Sequence, residues 1–245
     1  MIINKNSRKL IYNARELFYP AGCGHCGKYL CGGDEAFYGL CSECYLYLKA
    51  YMQLYKKCEI CGRPLISEKA TCLLCRKEDH KNNFTRQIRI FPYTGSFKNL
   101  LAFYKFEQSL GLGNFFAECL TESLNLFKNE EITHAEWVPV PPRPGKLKAK
   151  GWDQISYLAS LLKRTKGALP VNPCLLRLKS RSQKELNRQD REFNLKGRII
   201  CKGKAPKSAI IFDDVITTGA TMDSCAKALL EGGTEKVYGI CLFYD

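Results

Sequence analysis

Apolar positions along this chain fall into two kinds of run. Some recur every three to four residues and predict helices; others are continuous and short and predict strands buried on both faces. Residues 8–18 place Leu10, Ile11, Ala14, Leu17 and Phe18 on one helical face. "SECYLYLKAYMQLYKK" predicts a helix beginning at Ser42. "SFKNLLAFYKF" and "GLGNFFAECLTESLNLF" repeat that period, and Leu112, Phe115, Phe116, Cys119, Leu120, Leu124 and Phe127 share one face of the latter. "EWVPVPP" reads as a strand stopped by prolines, and "GWDQISYLASLLKR" as an amphipathic helix. "SQKELNRQDREFNLKG" is strongly polar, a helix or a mobile loop. "SAIIFDD" and "KVYGICLFY" are buried strands on either side of "ATMDSCAKALLEGG", a helix ended by glycines.

Strands alternating with helices predict the α/β class, a mostly parallel sheet flanked by helices. Residues 76–89, "RKEDHKNNFTRQIR", are polar and unpatterned, which places a boundary there. Residues 1–82 then form an N-terminal helix with a small Cys-rich module, and residues 83–245 a larger domain, a division that 245 residues accommodate. The start, "MIINKNSRKLIYNARELF", is basic without a continuous apolar stretch, unlike a signal peptide. No apolar run approaches the ~20 residues that span a bilayer. The expected compartment is the cytosol, with no membrane partner.

The chain has fourteen cysteines, nine of them within residues 23–75. Four C-x-x-C pairs occur: Cys23/Cys26, Cys41/Cys44, Cys58/Cys61 and Cys72/Cys75. Each pair can turn two thiolates toward one ion, and two pairs complete a tetrahedral Cys₄ site. Four pairs predict two structural zinc sites in a double zinc-ribbon-like module. A redox C-x-x-C would stand alone at a helix start, not in a set of four. Sequential pairing is the simpler arrangement; the spacing also leaves an interleaved one open. Four cysteines leave no position for catalysis, so the metal here would hold the fold. Cys31 is a spare. His80, five residues after Cys75, is read as a surface histidine, and His25 inside a knuckle points poorly for ligation.

Charge is unevenly placed. Formal net charge is +14, and residues 143–204 alone carry 17 basic and 4 acidic side chains. Such a block is either a solvated face or a surface for a polyanion, a nucleic acid or a phosphate-bearing substrate. Two zinc–thiolate sites would lower the net charge to about +10 and leave the chain basic.

The sharpest local feature is "AIIFDDVITTGAT", residues 209–221. A buried strand runs into adjacent carboxylates, then a hydroxyl-rich turn, then a helix. Backbone N–H groups at a helix start favour an anion. Thr217, Thr218 and Thr221 add hydroxyl donors, and Gly219 and Ala220 let the backbone come close. This suits a phosphate monoester, although the Walker A pattern is absent. Asp213 and Asp214 would be satisfied by the hydroxyls of a ribose or by a hydrated divalent cation. A sugar 5-phosphate carries both kinds of group.

At every position residues 209–221 resemble the phosphoribosyl-pyrophosphate (PRPP) pattern of type I phosphoribosyltransferases. More narrowly, the chain resembles the ComF/ComFC family, which joins a cysteine zinc module to such a domain. "LFYPAGCGHCG", "YTGSFKNLLAFYKF", "VPVPPRPGKLKAKGWDQ" and "SQKELNRQDREFN" follow the family's order. The last two correspond to its pyrophosphate loop and flexible loop. The resemblance implies a type I phosphoribosyltransferase-like fold in which Asp213 and Asp214 hold ribose hydroxyls and act as the catalytic carboxylates. It implies that Thr217, Thr218, Gly219, Ala220 and Thr221 take the 5-phosphate. Arg143, Lys146, Lys148, Lys150 and Gly151 would face the diphosphate with Mg²⁺, and Lys184, Arg188 and Arg191 would lie on the closing loop. The pyrophosphate loop departs from the family at Lys150, where arginine is usual, and at Asp153, where asparagine is usual.

Two functions follow from the resemblance. One is a PRPP-binding factor handling imported single-stranded DNA in the cytosol during natural transformation, with an uptake-pathway helicase as a partner. The other is an active phosphoribosyltransferase of nucleotide metabolism, passing ribose 5-phosphate to a base that no motif identifies. Basic residues 143–204 fit the first. Trp152, Tyr157 and Phe193 are available as stacking platforms, with core packing the plainer reading of each.

Overall fold

The computed structural model of the chain describes residues 22–77, 83–127, 132–178 and 199–245. The helix expected over residues 8–18, His80, and the segment carrying Lys184, Arg188, Arg191 and Phe193 lie outside the described residues.

In chain order the elements are α1 (Gly33–Tyr38), α2 (Ser42–Gln53), β1 (Arg86–Pro92), α3 (Gly95–Phe106), α4 (Leu110–Ser123) and β2 (Ala135–Pro139). There follow α5 (Lys146–Lys150), α6 (Gln154–Arg164), β3 (Leu175–Arg177), β4 (Ile199–Cys201), β5 (Ser208–Ile216), α7 (Ala220–Glu231) and β6 (Lys236–Tyr244). Four strands form one sheet in the order β1–β6–β5–β2, with every pair parallel. The two continuous apolar runs take the centre, because only there are both faces of a strand covered. Residues 170–172 lie along the outer edge of β2: Trp137 N–H donates to Pro170 O at 2.8 Å, and Asn172 N–H to Trp137 O at 2.8 Å. β3 and β4 pair antiparallel as a separate two-stranded ladder.

Alternation along β5 divides the core. Ile210 and Phe212 join the apolar layer built with α3, α4 and α6. Ala209 and Ile211 join the layer built with α7. β1 begins inside the stretch that the pattern leaves unpatterned: Arg86 and Arg89 interrupt its apolar run, although Arg89 is buried. The short helix α5 is also unannounced by periodicity. Left-handed glycines bracket it, Gly145 at φ 83° and Gly151 at φ 62°.

The cysteine modules are anchored on this frame. Leu40, Cys41, Cys44, Leu48 and Met52 share one core with Phe91, Phe97 and Leu100. Backbones meet closely at Gly111, where a Cβ would stand 2.6 Å from Gly39 N. At Gly62 a Cβ would stand 2.6 Å from Gln87 O on β1, and Gln87 N–H donates to Ile60 O at 2.7 Å. Glu118 on α4 ties the first module down. It accepts from the Tyr38 hydroxyl at 2.6 Å, from the Tyr45 hydroxyl and from Lys49 Nζ at 3.1 Å. Among the described residues no helix is long and apolar enough to cross a membrane.

Candidate functional site

Parallel strands place all their carboxyl ends on one edge, where α/β proteins gather their ligand sites. Here that edge carries the turn after β5, residues 143–151 after β2, and the start of α3 after β1.

Asp213 and Asp214 are neighbours on β5 and so face opposite sides of the sheet. This relieves the repulsion that their adjacency implies. Asp214 is 4% exposed and lies on the α3/α6 side. Its Oδ2 sits 3.1 Å from Lys105 Nζ, and the Gln154 side-chain amide donates to the same oxygen. Asp213 lies on the α7 side, and its Oδ1 accepts from Asp214 N–H at 2.8 Å. Burial, reinforced by the Asp214 charge, pushes the Asp213 carboxyl above the usual carboxylate range. The Asp214 N–H, Lys105 and Arg177 pull the other way without overcoming it. Arg177, at the end of β3, keeps its Nε buried with no hydrogen-bond partner.

The turn that follows is open in the way an anion needs. Thr217 and Thr218 are exposed, and Gly219 takes φ 80°, a conformation that favours glycine. Gly219 caps α7 with no side-chain hydrogen bond to the first turn. Ala220 N–H donates to Thr218 Oγ1 at 3.4 Å, and the helix ladder begins with Asp223 N–H donating to Gly219 O at 2.9 Å. Thr221 stands in that first turn. The 5-phosphate residues of the sequence reading are thus contiguous at one helix start.

The loop after β2 differs from expectation at two residues. Lys146 does not present a free ammonium: its Nζ lies 2.6 Å from Asp153 Oδ1 and 2.6 Å from Gln154 Oε1. Asp153 is 4% exposed and caps α6, accepting from Ser156 N–H at 2.8 Å and Ser156 Oγ at 2.9 Å. The carboxylate that departs from the family pattern is therefore an N-cap with its own cation. Arg143 and Lys148 are exposed; Lys150 ends α5, and its side chain lies outside what is described. Trp152 packs edge-on against Tyr104, centroids 5.9 Å apart, and against Tyr157 at 5.1 Å, so both rings belong to the packing around α4.

Sequence reading missed Lys105 and Arg177. For Lys105 a signal existed: it follows Leu101 by four residues, on the buried face of α3, where a lysine needs a partner. Arg177 sits on a strand too short to be read from pattern.

The cysteine clusters form a second centre. Cys23, Cys26, Cys41 and Cys44 bring their sulfurs within 4.8 Å of one another, as do Cys58, Cys61, Cys72 and Cys75. The pairing is sequential. Cys26 and Cys41 sulfurs are 3.7 Å apart, as are those of Cys61 and Cys72. Zn–S bonds of ~2.3 Å at tetrahedral angles require an edge of ~3.8 Å. None of the fourteen cysteines is in a disulfide. Backbone turns close each knuckle: Gly27 N–H donates to Cys23 O at 2.8 Å and Gly62 N–H to Cys58 O at 3.0 Å. The donor set and its spacing fit two zinc ions. His25 is not a ligand: its Nδ1 lies 3.3 Å from Cys44 Sγ and its Nε2 3.0 Å from Ser96 Oγ at the start of α3. Such a contact orients the sulfur and links the cysteine cluster to the sheet edge.

No family model matches the chain. It is 26% identical to Competence protein F of Haemophilus influenzae, over 90% of this chain and 95% of that protein. It is 25% identical to Competence protein ComFC of Streptococcus pneumoniae, over 81% of this chain and 84% of the relative. Against Competence protein ComFC of Bacillus subtilis the identity is 28%, over 72% of each chain. These similarities cover most of the chain and bear out its resemblance to the ComF/ComFC family.

Proposed function

We propose that this chain binds PRPP, or a related ribose 5-phosphate, at the carboxyl edge of β5 and serves in competence, handling imported single-stranded DNA in the cytosol. The observation that carries the sugar-phosphate reading is the juxtaposition of two kinds of vacancy. Each carboxylate has one oxygen outside its described hydrogen bonds, and the adjacent turn at the start of α7 exposes Thr217 and Thr218. Hydroxyls suit the first and a phosphate the second. Asp213 and Asp214 take the ribose hydroxyls, and Thr217, Thr218, Gly219, Ala220 and Thr221 the phosphate. Arg143, Lys148 and Gly151 lie on the diphosphate side, where Mg²⁺ would arrive on the diphosphate itself. The role in competence is supported by the names of the three relatives. Exposed Arg143, Lys148, Lys163, Arg164, Lys166, Lys202 and Lys204 support contact with a polyanion. An uptake-pathway helicase is the proposed protein partner.

Calorimetric titration with PRPP and Mg²⁺ tests the site: the wild type binds and Asp213→Asn/Asp214→Asn does not, whereas equal affinity of the two proteins rejects the assignment. Single-stranded DNA affinity should fall steeply between low and physiological salt. A second reading, transfer of the ribose 5-phosphate to a base, is favoured by the carboxylate pair, which would stabilise positive charge developing on the sugar. Pyrophosphate release in a scan of candidate bases decides it.

A further inference from the structure

We propose that Lys105, on α3, is a positioning residue of the sugar-phosphate site: it fixes Asp214 so that Oδ1, which lies outside the described hydrogen bonds, remains for the ligand. This rests on the reading of the turn after β5 as a ribose 5-phosphate site. The geometry is specific. Lys105 Nζ and the Gln154 amide both engage Oδ2 of Asp214, leaving Oδ1 outside the described hydrogen bonds. On the neighbouring residue the backbone N–H of Asp214 takes Oδ1 of Asp213 and leaves Oδ2. One oxygen of each carboxylate outside the described hydrogen bonds suits two hydroxyls on adjacent carbons, each of which has a single proton to donate.

The placement of Lys105 argues against an incidental surface pair. Its side chain is 23% exposed and that of Asp214 5%, so the ion pair is shielded from water and holds one geometry. Lys105 ends a helix whose Phe97, Leu100, Leu101 and Tyr104 are buried in the main core, which fixes where the ammonium stands. Tyr104 adds a second tie, its hydroxyl donating to Gln154 O at 2.9 Å. The other ligand of Asp214 is therefore held from the same helix. α3, which begins at the first zinc cluster through Ser96 and His25, ends at the ribose carboxylate.

Lys105→Met and Lys105→Arg separate positioning from folding. Each is titrated by calorimetry with PRPP and Mg²⁺ and, separately, with inorganic phosphate, which probes the turn at α7 without the sugar. Lys105→Met is expected to weaken PRPP by about 10- to 100-fold. Phosphate affinity stays within about twofold, since its donors are the turn itself. Lys105→Arg keeps the charge on the same stem and recovers most of the PRPP affinity. PRPP affinity unchanged in Lys105→Met overturns the role. So does a parallel loss of PRPP and phosphate that Lys105→Arg fails to recover, which marks a folding fault. A wild type that binds phosphate but not PRPP is a different result: it removes the ribose reading of the site, and the role of Lys105 with it.

Discussion

The ammonium of Lys146 lies 2.6 Å from Oδ1 of Asp153 and makes this lysine the partner of a helix cap. Asparagine at 153 would still cap α6 through its amide oxygen but would release the lysine. Asp153→Asn is expected to raise affinity for inorganic pyrophosphate roughly threefold or more, the scale of a partly exposed ion pair. Asp153→Ala, which loses the cap as well, is expected to cost about 1–2 kcal/mol of stability in urea unfolding. Unchanged pyrophosphate affinity in Asp153→Asn would mean that Lys146 stays engaged by Gln154.

Asp213 is held above the ordinary carboxylate range, so the folded chain binds its proton more tightly than the unfolded chain. Its contribution to stability is then fullest below about pH 4 and declines as pH rises toward the raised value. Asp213→Asn removes that penalty. Thermal unfolding should show the variant less sensitive than the wild type between pH 5 and pH 8, and more stable at the upper end, while it binds PRPP more weakly. Parallel curves for the two proteins would show that the carboxyl is not strained.

The two cysteine clusters should respond differently to metal loss. Cys41 and Cys44 belong to the core that contains Phe97 and Leu100, whereas Leu65 is the one fully buried residue besides cysteines in the second cluster's own core. Cys44→Ser is therefore expected to lower the main unfolding transition, by about 2–4 °C for each kcal/mol lost. Cys58→Ser should leave that transition nearly in place and loosen residues around 56–76, seen as faster hydrogen exchange there. Elemental analysis should give close to two zinc per chain for the wild type and one for each variant.

Glu118 joins the first module to α4 by three charge-assisted bonds. Burial pushes its carboxyl up, but the Tyr38 and Tyr45 hydroxyls and Lys49 outweigh burial and leave it below its ordinary value. A depressed folded value means stability that is present above about pH 4.3 and lost as pH falls through the folded value. Glu118→Gln should cost about 1–3 kcal/mol at pH 7 and flatten the acid limb of a stability profile. An acid limb identical to the wild type's would place that proton uptake elsewhere.

The parts legible in the chain were those carried by contiguous residues. C-x-x-C spacing marks its own ligands because two residues are enough to close a knuckle. "AIIFDDVITTGAT" declares a strand, a turn and a helix start because all three are local. The strand β1 was hidden by Arg86 and Arg89, which break up a run whose residues 88–91 are all buried. Lys105 was missed for a different reason: nothing near it in sequence shows that it stands beside Asp214.

By itself the sequence determined the eight clustered cysteines, the α/β class, and a carboxylate pair followed by a hydroxyl-rich turn at a helix start, since each follows from local spacing and periodicity. Tertiary structure alone decided that the cysteine pairs close sequentially, that Asp213 and Asp214 face opposite sides of the sheet with Lys105 paired to Asp214, and that Lys146 serves Asp153. The reason is physical: ion pairing in a partly dry site depends on distances of a few ångströms between elements far apart in the chain, and only packing sets those distances.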